Sequence, residues 1–346
     1  MEKESTSGRD WLIFFTVLGF MLPLVGILVY LVHVTNSLVL YDSGSDIALK
    51  EVRTLPEPFP VGVDPDEKVI AELPHIEEFL DTELTRTTEE TIGSGIEVSF
   101  LRKAIAKLAL FDWYQNLAAG TGRVLVIQPG ERKEQIAMNF AKILNWTEED
   151  KRMFLVSVVS SDPVLLEGKF APGTYLVADD ATPDTVAQLV ANRFNAEIFS
   201  RYPRTVDAQV PLHDALTIAS LLEREAYDFE DMRHIAGVIW NRLFIDMHLQ
   251  IDATLQYAKG TDAPKTWWPV PVPKDKYIES PYNTYQNSGL PPTPIANPSV
   301  DAVLAALNPR ETDCMYYFHD KESKFHCTET YEDHVTELKK YYGRGQ

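Results

Sequence analysis

The feature that most constrains the fold is an uncharged segment near the N-terminus. Trp11 to Val34 is a run of 24 residues without Asp, Glu, Lys or Arg. About 20 apolar residues suffice for a helix to cross the hydrocarbon core of a bilayer. The run therefore predicts a transmembrane helix over residues 11–34, in which Pro23 is tolerated because membrane helices accommodate proline.

The flanks of this segment predict its orientation. Lys3 and Arg9 precede it, whereas the next basic residue after it is Lys50. Positive charge favours the cytoplasmic side, so residues 1–10 are predicted to be a cytoplasmic tail of a single-pass inner (plasma) membrane protein, with the rest of the chain outside. A cleaved signal peptide is the alternative, but the run is longer than a signal core and no small-residue cleavage site follows it.

Residues 35–97 carry most of the net charge of the chain, which is −19. They contain 15 acidic and 4 basic residues, with scattered prolines and little periodicity. This composition favours a solvated tether, so the segment is predicted to be an acidic stalk with at most a short helix from Asp66 to Leu80. The acidic balance also argues against nucleic acid as a partner, because phosphate binding requires a basic surface.

Residues 98–205 are predicted to form a small module with flanking helices. Helical spacing over Ile96 to Leu117 is followed by an apolar strand at Val124 to Ile127, two helices and a returning strand in LLEGKFAPGTYLV. Another helix is predicted to begin at Thr182-Pro183, because proline suits the first helical turn. The βααβ order resembles LysM modules, which bind N-acetyl sugars; on pattern alone it fits a spacer domain equally well.

Residues 206–346 are predicted to form a mixed α+β domain with long proline-rich loops. Two helices are predicted between Pro211 and Leu243 from the spacing of apolar residues. The next segment contains WWPVPVPKDKY, whose prolines exclude a helix interior or a central strand. A short helix over Val300 to Leu307 and a closing helix over Tyr331 to Tyr342 are predicted beyond it.

One carboxyl group in the first of these two helices has an unusual position. At about 100° per residue, Glu225 lies inside the apolar stripe, between Leu221 and Ile218. A carboxyl held against apolar side chains resists ionisation, which raises its pKa. A carboxyl that carries a proton at neutral pH is suited to general acid catalysis. The alternative is a side chain at the edge of the stripe that pairs with Arg224 or Arg233.

Two cysteines, Cys314 and Cys327, flank MYYFHDKESKFH, which predicts a β-hairpin with its turn around Asp320 to Ser323. Both cysteines are equidistant from that turn, so they are expected to face each other and a cross-strand disulfide is geometrically open. Two separate buried thiols are the other interpretation.

Six motifs follow one another in the second half of the chain: ASLLEREA, NRL, MHLQIDATLQYA, SPYNTY, GLPPTPIANPS and AALNP. Together they resemble the endolytic murein transglycosylase (YceG-like) family over roughly residues 123–340. The resemblance implies a membrane-anchored enzyme that needs no cofactor, acts on peptidoglycan glycan strands and has peptidoglycan synthases as partners.

The resemblance also assigns catalysis to the second Glu of an S-[IL]-[IL]-E-[KR]-E motif, which is Glu225 here. A lytic transglycosylase of this family cleaves between MurNAc and GlcNAc and leaves a 1,6-anhydro-MurNAc end, which would terminate glycan elongation. One carboxyl suffices, because the attacking 6-hydroxyl is tethered within the substrate. Glu225 would act first as the acid and then as the base.

Other residues are assigned to substrate binding from their chemistry and from the resemblance. Gln250 and Asp252 lie two apart in a segment predicted to be extended, so both side chains would point to one side. Aromatic, amide and hydroxyl groups suit a sugar-binding cleft, and Asn297 fits either a sugar contact or a turn. The candidates are Gln250, Asp252, Tyr282, Asn283, Thr284, Tyr285 and Asn297.

Ser220, Glu223 and Arg242 are predicted to support Glu225. Glu223 falls at the edge of the apolar stripe, where it is expected to pair with Arg242 or Arg233. No metal site is predicted, because His319, His326 and His334 lack the spacing of ligands. Trp267 and Trp268 are predicted to pack beneath the proline-rich loop.

Two alternatives to the transglycosylase stay open. One is a muramidase that uses water, with Asp252 as its second carboxylate. The other is a scaffold that binds peptidoglycan without cleaving it.

Overall fold

The computed structural model describes residues 56–89, 122–159, 167–260 and 266–343. Within these ranges no helix is both long and apolar enough to cross a bilayer. The predicted cytoplasmic tail and membrane span, residues 1–34, and the helix predicted over residues 96–117 lie outside them.

Residues 56–84, predicted to belong to a stalk, are packed onto the largest core of the protein. They begin with a small hairpin of β1 (Val63–Asp64) and β2 (Val69–Ile70), and α1 (Pro74–Glu89) follows. The apolar side chains buried in the core are Phe59, Val63, Ile70, Ile76 and Leu80. The stalk prediction is therefore wrong for this part of residues 35–97, because apolar residues too irregularly spaced to show periodicity are buried by contacts with distant helices.

An ion pair attaches α1 to the helical core. Arg233 is 1% exposed and donates to both carboxylate oxygens of Glu77, at 2.9 and 2.5 Å. Its Nε donates to the carbonyl oxygen of Asn308 at 2.8 Å. A buried guanidinium requires such partners, because an unpaired charge in the interior is costly. Part of the acidic excess of this segment is therefore structural.

The predicted βααβ order is confirmed. The unit consists of β3 (Arg123–Ile127), α2 (Lys133–Leu144), α3 (Glu148–Val159) and β4 (Gly173–Val177), and its two strands pair antiparallel. Phe154 lies at the centre of its core, with its ring centroid 5.5 Å from that of Phe140 and 5.7 Å from that of Phe170. Aromatic packing of this kind gives a small unit its own core.

The helix α4 (Pro183–Glu197) joins this unit to the larger core. Thr182 caps its N-terminus, as predicted, by accepting a hydrogen bond from the backbone of the first turn. Val190 packs in the core of the βααβ unit, whereas Phe194 packs in the larger core. The predicted boundary between residues 205 and 206 is therefore too late, since the change of core falls within α4.

The larger core is mainly helical. Its helices are α5 (Arg204–Gln209), α6 (Leu212–Glu225), α7 (Phe229–Phe244), α8 (Asp252–Lys259) and α9 (Val300–Leu307). The predicted helix pair between residues 211 and 243 and the helix over residues 300–307 are confirmed. Central α9 is buried along most of its length, and the indole of Trp240 donates to the carbonyl oxygen of Ala306 at 2.9 Å.

The segment around Gln250 differs from the prediction. Gln250 has a φ of 52°, and Asp252 is the first residue of α8, so the two do not form an extended strand. The backbone nitrogen of Gln250 donates to the carbonyl oxygen of Thr284 at 3.1 Å. This bond holds the left-handed turn that directs the chain into the helix.

The C-terminal hairpin and closing helix are confirmed. They are β5 (Tyr316–His319), β6 (Phe325–Thr328) and α10 (Tyr331–Tyr342). Cys314 and Cys327 form a disulfide with a Cα–Cα distance of 5.7 Å. Their expected face-to-face register is wrong: Tyr317 is the partner opposite Cys327, and Cys314 precedes β5. The turn closes with Asp320 bonded to Lys324, which moves the centre of the hairpin beyond the midpoint of the two cysteines.

Candidate active site

Glu225 is the last residue of α6, where that helix emerges from the core. Ile218 and Leu221, its neighbours on the apolar stripe, are fully buried, and Glu225 is half-buried. Its Oε2 accepts a hydrogen bond of 3.1 Å from the hydroxyl of Tyr317. Its Oε1 accepts a longer one, 3.4 Å, from the backbone nitrogen of Ala253. The carboxyl group is thus fixed between the start of α8 and the hairpin.

Burial raises the pKa of Glu225 to about 7. The hydrogen bonds from Tyr317 and Ala253 act against this rise because they stabilise the carboxylate, while the charge of Asp252 adds to it. A carboxyl group with a pKa near 7 can both donate and accept a proton at neutral pH. The rise predicted from the helical wheel agrees with this arrangement.

The hairpin contributes a second group of residues, which the sequence reasoning missed. Tyr317 and His319 lie two apart in β5, so they share one face of the strand. His319 Nε2 is 2.9 and 3.0 Å from the carboxylate oxygens of Asp231, and its charge influences Glu225. The ring of Tyr227, which is 66% exposed, packs edge-on against the His319 imidazole, with 4.9 Å between the ring centroids. The sequence signal that could have revealed this pair is the alternation Tyr-Phe-His in a predicted strand, because it places Tyr317 and His319 on the same face.

Asp252, at the start of α8, is the substrate-binding candidate next to Glu225, and its charge acts on that carboxyl group. Gln250 and Asp252 are exposed, and Asp252 directly precedes the backbone nitrogen that faces the carboxyl group. The hydroxyl of Tyr285 donates to Asp252 Oδ1 at 2.8 Å. Sugar contacts by these three residues stay a prediction.

Residues 103–340 match the profile of the YceG-like family, and this match covers more than half of the chain. The chain belongs to the YceG-like family. The resemblance inferred from the six motifs is therefore confirmed.

This YceG-like chain is similar to proteins named endolytic murein transglycosylase. It is 36% identical to an endolytic murein transglycosylase of Bacillus subtilis over 177 residues, which are 51% of this chain and 48% of the relative. It is 34% identical to one of Streptococcus pneumoniae over 170 residues, which are 49% of this chain and 31% of the relative. The chain thus matches less than half of the length of each relative.

A crystal structure of a YceG-like protein from Listeria monocytogenes has a similar fold. Its sequence is 29% identical, and it superposes with a TM-score of 0.54. The superposition covers 62% of this chain and 75% of the Listeria chain. The mixed α+β architecture predicted for the described part of the chain is consistent with this fold.

The first Glu of the motif, Glu223, has different partners from Glu225. Its Oε1 accepts a hydrogen bond of 3.0 Å from Ser299, the residue that caps α9. Burial raises the pKa of Glu223 to about 7 as well. The predicted pairing with Arg242 or Arg233 is wrong, because both guanidinium groups have other partners. Glu223 instead connects α6 to the beginning of α9.

The other two supporting residues act on the backbone around the site. Arg242 donates to the carbonyl oxygens of Leu249 and Met315, the latter at 2.7 Å. It therefore holds together the two segments that lead into α8 and β5. Ser220, which is fully buried, accepts a hydrogen bond of 3.0 Å from the backbone nitrogen of Ile295. Each residue fixes a loop against a helix of the core.

Two residues of the SPYNTY motif are structural. Asn283 and Thr284 are 0% and 1% exposed. Asn283 Nδ2 donates to the carbonyl oxygens of Lys276 and Ile278, and Thr284 Oγ1 accepts from the backbone nitrogen of Ile251. Their assignment to substrate binding is wrong, because their polar groups satisfy buried backbone groups of the loops. The Tyr282 side chain is half-buried, and its assignment stays a prediction.

Asn297 joins the βααβ unit to the helical core and does not face a cleft. It is fully buried, and its Oδ1 accepts from the backbone nitrogens of Gly168 and Phe170 at 2.9 and 3.0 Å. Its Nδ2 donates to the carbonyl oxygen of Glu131 at 2.9 Å and to Glu167 Oε1 at 2.6 Å. All the hydrogen-bonding capacity of the amide is used, so the predicted sugar contact is wrong.

The histidines singled out in the sequence do not form a metal centre in the described part of the chain, where no group of three or more His, Cys, Asp or Glu is suitably arranged. His326 Nε2 is 2.7 Å from Asp320 Oδ2, within the hairpin. This pairing and that of His319 with Asp231 use the imidazoles in hydrogen bonds to carboxylates.

Proposed function

We propose that this protein is an endolytic lytic transglycosylase that cleaves MurNAc–GlcNAc bonds of peptidoglycan strands and leaves 1,6-anhydro-MurNAc ends. The observation that carries the proposal is the environment of Glu225. Burial at the end of α6 raises its pKa to about 7, and its two oxygens have separate partners, Tyr317 and Ala253. A group in this state suits both proton transfers of the reaction.

The reaction needs two proton transfers and one internal attack. Protonated Glu225 gives its proton to the glycosidic oxygen, and the bond from the anomeric carbon to that oxygen breaks. The 6-hydroxyl of the same muramic residue then attacks the anomeric carbon, and the carboxylate of Glu225 removes the hydroxyl proton. The acid is regenerated without water, and the tethered hydroxyl supplies proximity that a free nucleophile lacks.

Similar proteins support this assignment. Two relatives, 36% and 34% identical, bear the name endolytic murein transglycosylase, and their matched segments cover about half of this chain. Cleavage of nascent strands would end their elongation. We accordingly propose peptidoglycan synthases as partners, since they produce these strands.

The remaining parts of the chain suggest how the enzyme meets its substrate. The βααβ unit would bind N-acetyl sugars in the manner of LysM modules, which it resembles in the order of its elements. Residues 11–34 would anchor the protein in the plasma membrane, with the catalytic part outside, because they form an uncharged run of 24 residues. A reporter fused after Tyr342 tests this topology: a strong cytoplasmic signal would contradict it.

A muramidase is the second candidate, and one observation favours it. Asp252 is exposed, next to Glu225 and held by Tyr285, where it resembles the second carboxylate of a hydrolase. In that reaction water, rather than the 6-hydroxyl, attacks the anomeric carbon or the glycosyl-enzyme.

Product analysis in ¹⁸O-labelled water distinguishes the two reactions. The purified full chain is incubated with peptidoglycan, and the released ends are analysed by mass spectrometry. A transglycosylase gives unlabelled 1,6-anhydro ends, whereas a muramidase gives reducing ends that contain ¹⁸O. Labelled reducing ends as the main product would refute our proposal, and the absence of cleavage would favour a peptidoglycan-binding scaffold.

A further inference from the structure

The residue before the catalytic candidate is a cation without a carboxylate partner. Arg224 lies in the last turn of α6, with its guanidinium carbon 4.0 Å from the centroid of the Trp268 ring. Its Nε is buried without a hydrogen-bond partner. In the described ranges, no carboxylate oxygen lies within 4.0 Å of this guanidinium, although the charges of Glu225 and Glu223 influence it.

A second guanidinium lies near the same indole. Arg132 is 4.2 Å from the ring centroid of Tyr257 and 6.0 Å from that of Trp268. Its Nη1 donates to the carbonyl oxygens of Tyr257 and Trp267, at 3.3 and 3.5 Å, and its Nε is buried without a hydrogen bond. Glu134, at 3.7 Å, is its nearest acidic group. Two guanidinium groups, each with an Nε that makes no hydrogen bond in the described ranges, thus lie within 6.0 Å of the Trp268 ring centroid.

This cluster of Arg132, Arg224, Tyr257 and Trp268, here called the arginine–tryptophan cluster, adjoins Glu225. Ala253, whose backbone nitrogen faces the carboxyl group, and Tyr257 are four residues apart on α8. Residues at this spacing lie on one face of a helix, about 6 Å apart along its axis. The cluster is therefore about one helical turn from the proposed acid.

Three of the buried arginines in the described ranges pair with a carboxylate, unlike half-buried Arg224. Arg201 pairs with Glu83 at 3.0 Å, Arg193 with Glu197 at 2.8 Å, and Arg233 with Glu77 at 2.5 Å. Leaving a buried donor without a hydrogen bond is destabilising. Arg242 is bonded to two backbone carbonyl oxygens instead, whereas the buried Nε of Arg224 has no hydrogen-bond partner in the described ranges. A bound ligand would supply an anion for this guanidinium.

The substrate offers such an anion at each muramic residue. Muramic acid differs from N-acetylglucosamine by a lactyl ether, which ends in a carboxylate or continues into a stem peptide with carboxylates of its own. Guanidinium groups bind carboxylates through two parallel hydrogen bonds, and an indole offers an apolar face to a sugar ring. We propose that the arginine–tryptophan cluster is a subsite for the carboxylate of the muramic side chain next to the cleaved bond. This inference rests on the proposed function.

Binding measurements with a non-cleaving variant test this subsite. The full chain with Glu225→Gln is titrated with three ligands of equal sugar number: neutral chitooligosaccharide, peptide-free glycan with lactyl carboxylates, and glycan with stem peptides. Adding Arg224→Gln should weaken binding of at least one carboxylated ligand by about tenfold or more, as expected for a hydrogen bond to a charged group. The affinity for chitooligosaccharide should change much less.

Two further variants make the result specific. Arg204→Gln removes an exposed guanidinium at the start of α5, outside both the βααβ unit and the cluster, and should leave all three affinities unchanged. Arg224→Lys keeps the charge but loses the planar pair of donors, so it should retain part of the discrimination. It also provides a measurement if Arg224→Gln does not fold.

The outcomes identify the source of the anion, and they distinguish failure of the subsite from failure of the proposed function. A loss confined to peptide-free glycan assigns the lactyl carboxylate, and a loss confined to peptide-bearing glycan assigns the stem peptide. Equal losses for neutral and carboxylated ligands, or none for any, would overturn the subsite. Because binding is measured without cleavage, the subsite can hold even if product analysis rejects the transglycosylase.

Discussion

The hydroxyl of Tyr317 donates a hydrogen bond of 3.1 Å to Oε2 of Glu225 from a position 92 residues later in the chain. Tyr317 lies in β5, directly opposite Cys327, which is bonded to Cys314. The protonation of the proposed acid therefore depends on a hairpin that a disulfide closes. Burial raises the pKa of Glu225, and this hydrogen bond limits the rise.

Tyr317→Phe should move the pH profile of the enzyme upward. The change removes a donor that stabilises the carboxylate, so the pKa of Glu225 rises above its value of about 7. The acid must be protonated for the first step, and the alkaline limb of kcat/KM should therefore shift to higher pH. Turnover at the optimum should fall by about tenfold, as for the loss of one hydrogen bond to a charged group.

A pH–rate series on wild type and Tyr317→Phe measures this shift. Tyr331→Phe, an exposed tyrosine at the start of α10, is the control and should leave the profile unchanged. An alkaline limb that stays in place or moves to lower pH would contradict the role of Tyr317.

The sequence was informative where the relevant contacts are local. The apolar stripe that surrounds Glu225 lies within one helix, so a periodicity of 3.6 residues reveals it. The closing helix, the capped start of α4 and the βααβ order follow from similar local signals. The sequence leaves open whether Cys314 and Cys327 form a disulfide. The length of the turn determines the register of the hairpin, and the sequence predicts that register only to within a residue or two.

The errors concern residues whose partners are distant in sequence. Asn297 bonds to groups about 130 residues earlier, and nothing beside it in PIANPS distinguishes a domain contact from a sugar contact. Phe59 and Ile76 lie in an acidic segment, where composition suggested a tether, yet α7 and its neighbours bury them. Charge excess alone does not exclude packing when each buried cation, such as Arg233, requires an acidic partner.

Glu77→Gln should destabilise the protein although Glu77 lies outside the site. Arg233 is 1% exposed and would lose its main anionic partner, with Glu230 remaining at 3.6 Å. Breaking a buried pair in this way costs about 3–5 kcal/mol, and the remaining carboxylate favours the lower end. Denaturant unfolding of the purified protein measures the change in free energy.

The exposed pair of Glu149 and Arg152 provides the comparison. Glu149→Gln should change the unfolding free energy far less than Glu77→Gln does, because exposed ion pairs contribute little. Equal effects of the two substitutions would mean that α1 is not fixed to the core by Glu77.

Glu167 should make stability depend on pH. It is fully buried between the βααβ unit and Asn297, and burial raises its pKa from 4.5 to about 8. The folded state therefore holds the proton more tightly than the unfolded chain. This stabilisation is complete below about pH 4.5 and is lost as the pH rises through about 8. Burial of Glu131, with a pKa raised to about 7, acts in the same direction.

In Glu167→Gln this proton linkage is absent, while the amide oxygen can still accept from Asn297 and from the backbone of Lys133. The melting temperature of the Glu167→Gln protein should therefore fall less between pH 5 and pH 8 than that of the wild type. Thermal unfolding across this range measures the difference, with exposed Glu322→Gln as a control that should follow the wild type. Parallel curves for Glu167→Gln and wild type would show that Glu167 does not hold a proton in the folded state.

Substitution of the two glutamates of the LLERE motif should have different effects on catalysis. Glu225→Gln keeps the shape of the side chain but removes the transferable proton, so turnover should fall by at least the ~10²–10⁴ typical of proton-transfer groups. Stability should change little or rise near pH 8, because a neutral amide replaces a group whose ionisation burial disfavours.

Glu223→Gln is the matched variant, since burial raises both pKa values to about 7. It should cost distinctly less activity, because Glu223 bonds to Ser299 at the N-terminus of α9 and not to the hairpin or α8. Single-turnover cleavage of peptidoglycan, with unfolding curves for both variants, measures the two effects. The assignment of the acid would change from Glu225 to Glu223 if the Glu225→Gln enzyme were active, or if a folded Glu223→Gln protein lost more activity. The pKa of a buried carboxyl alone thus does not identify the acid: its partners do, and only Glu225 contacts both the start of α8 and Tyr317 of the hairpin.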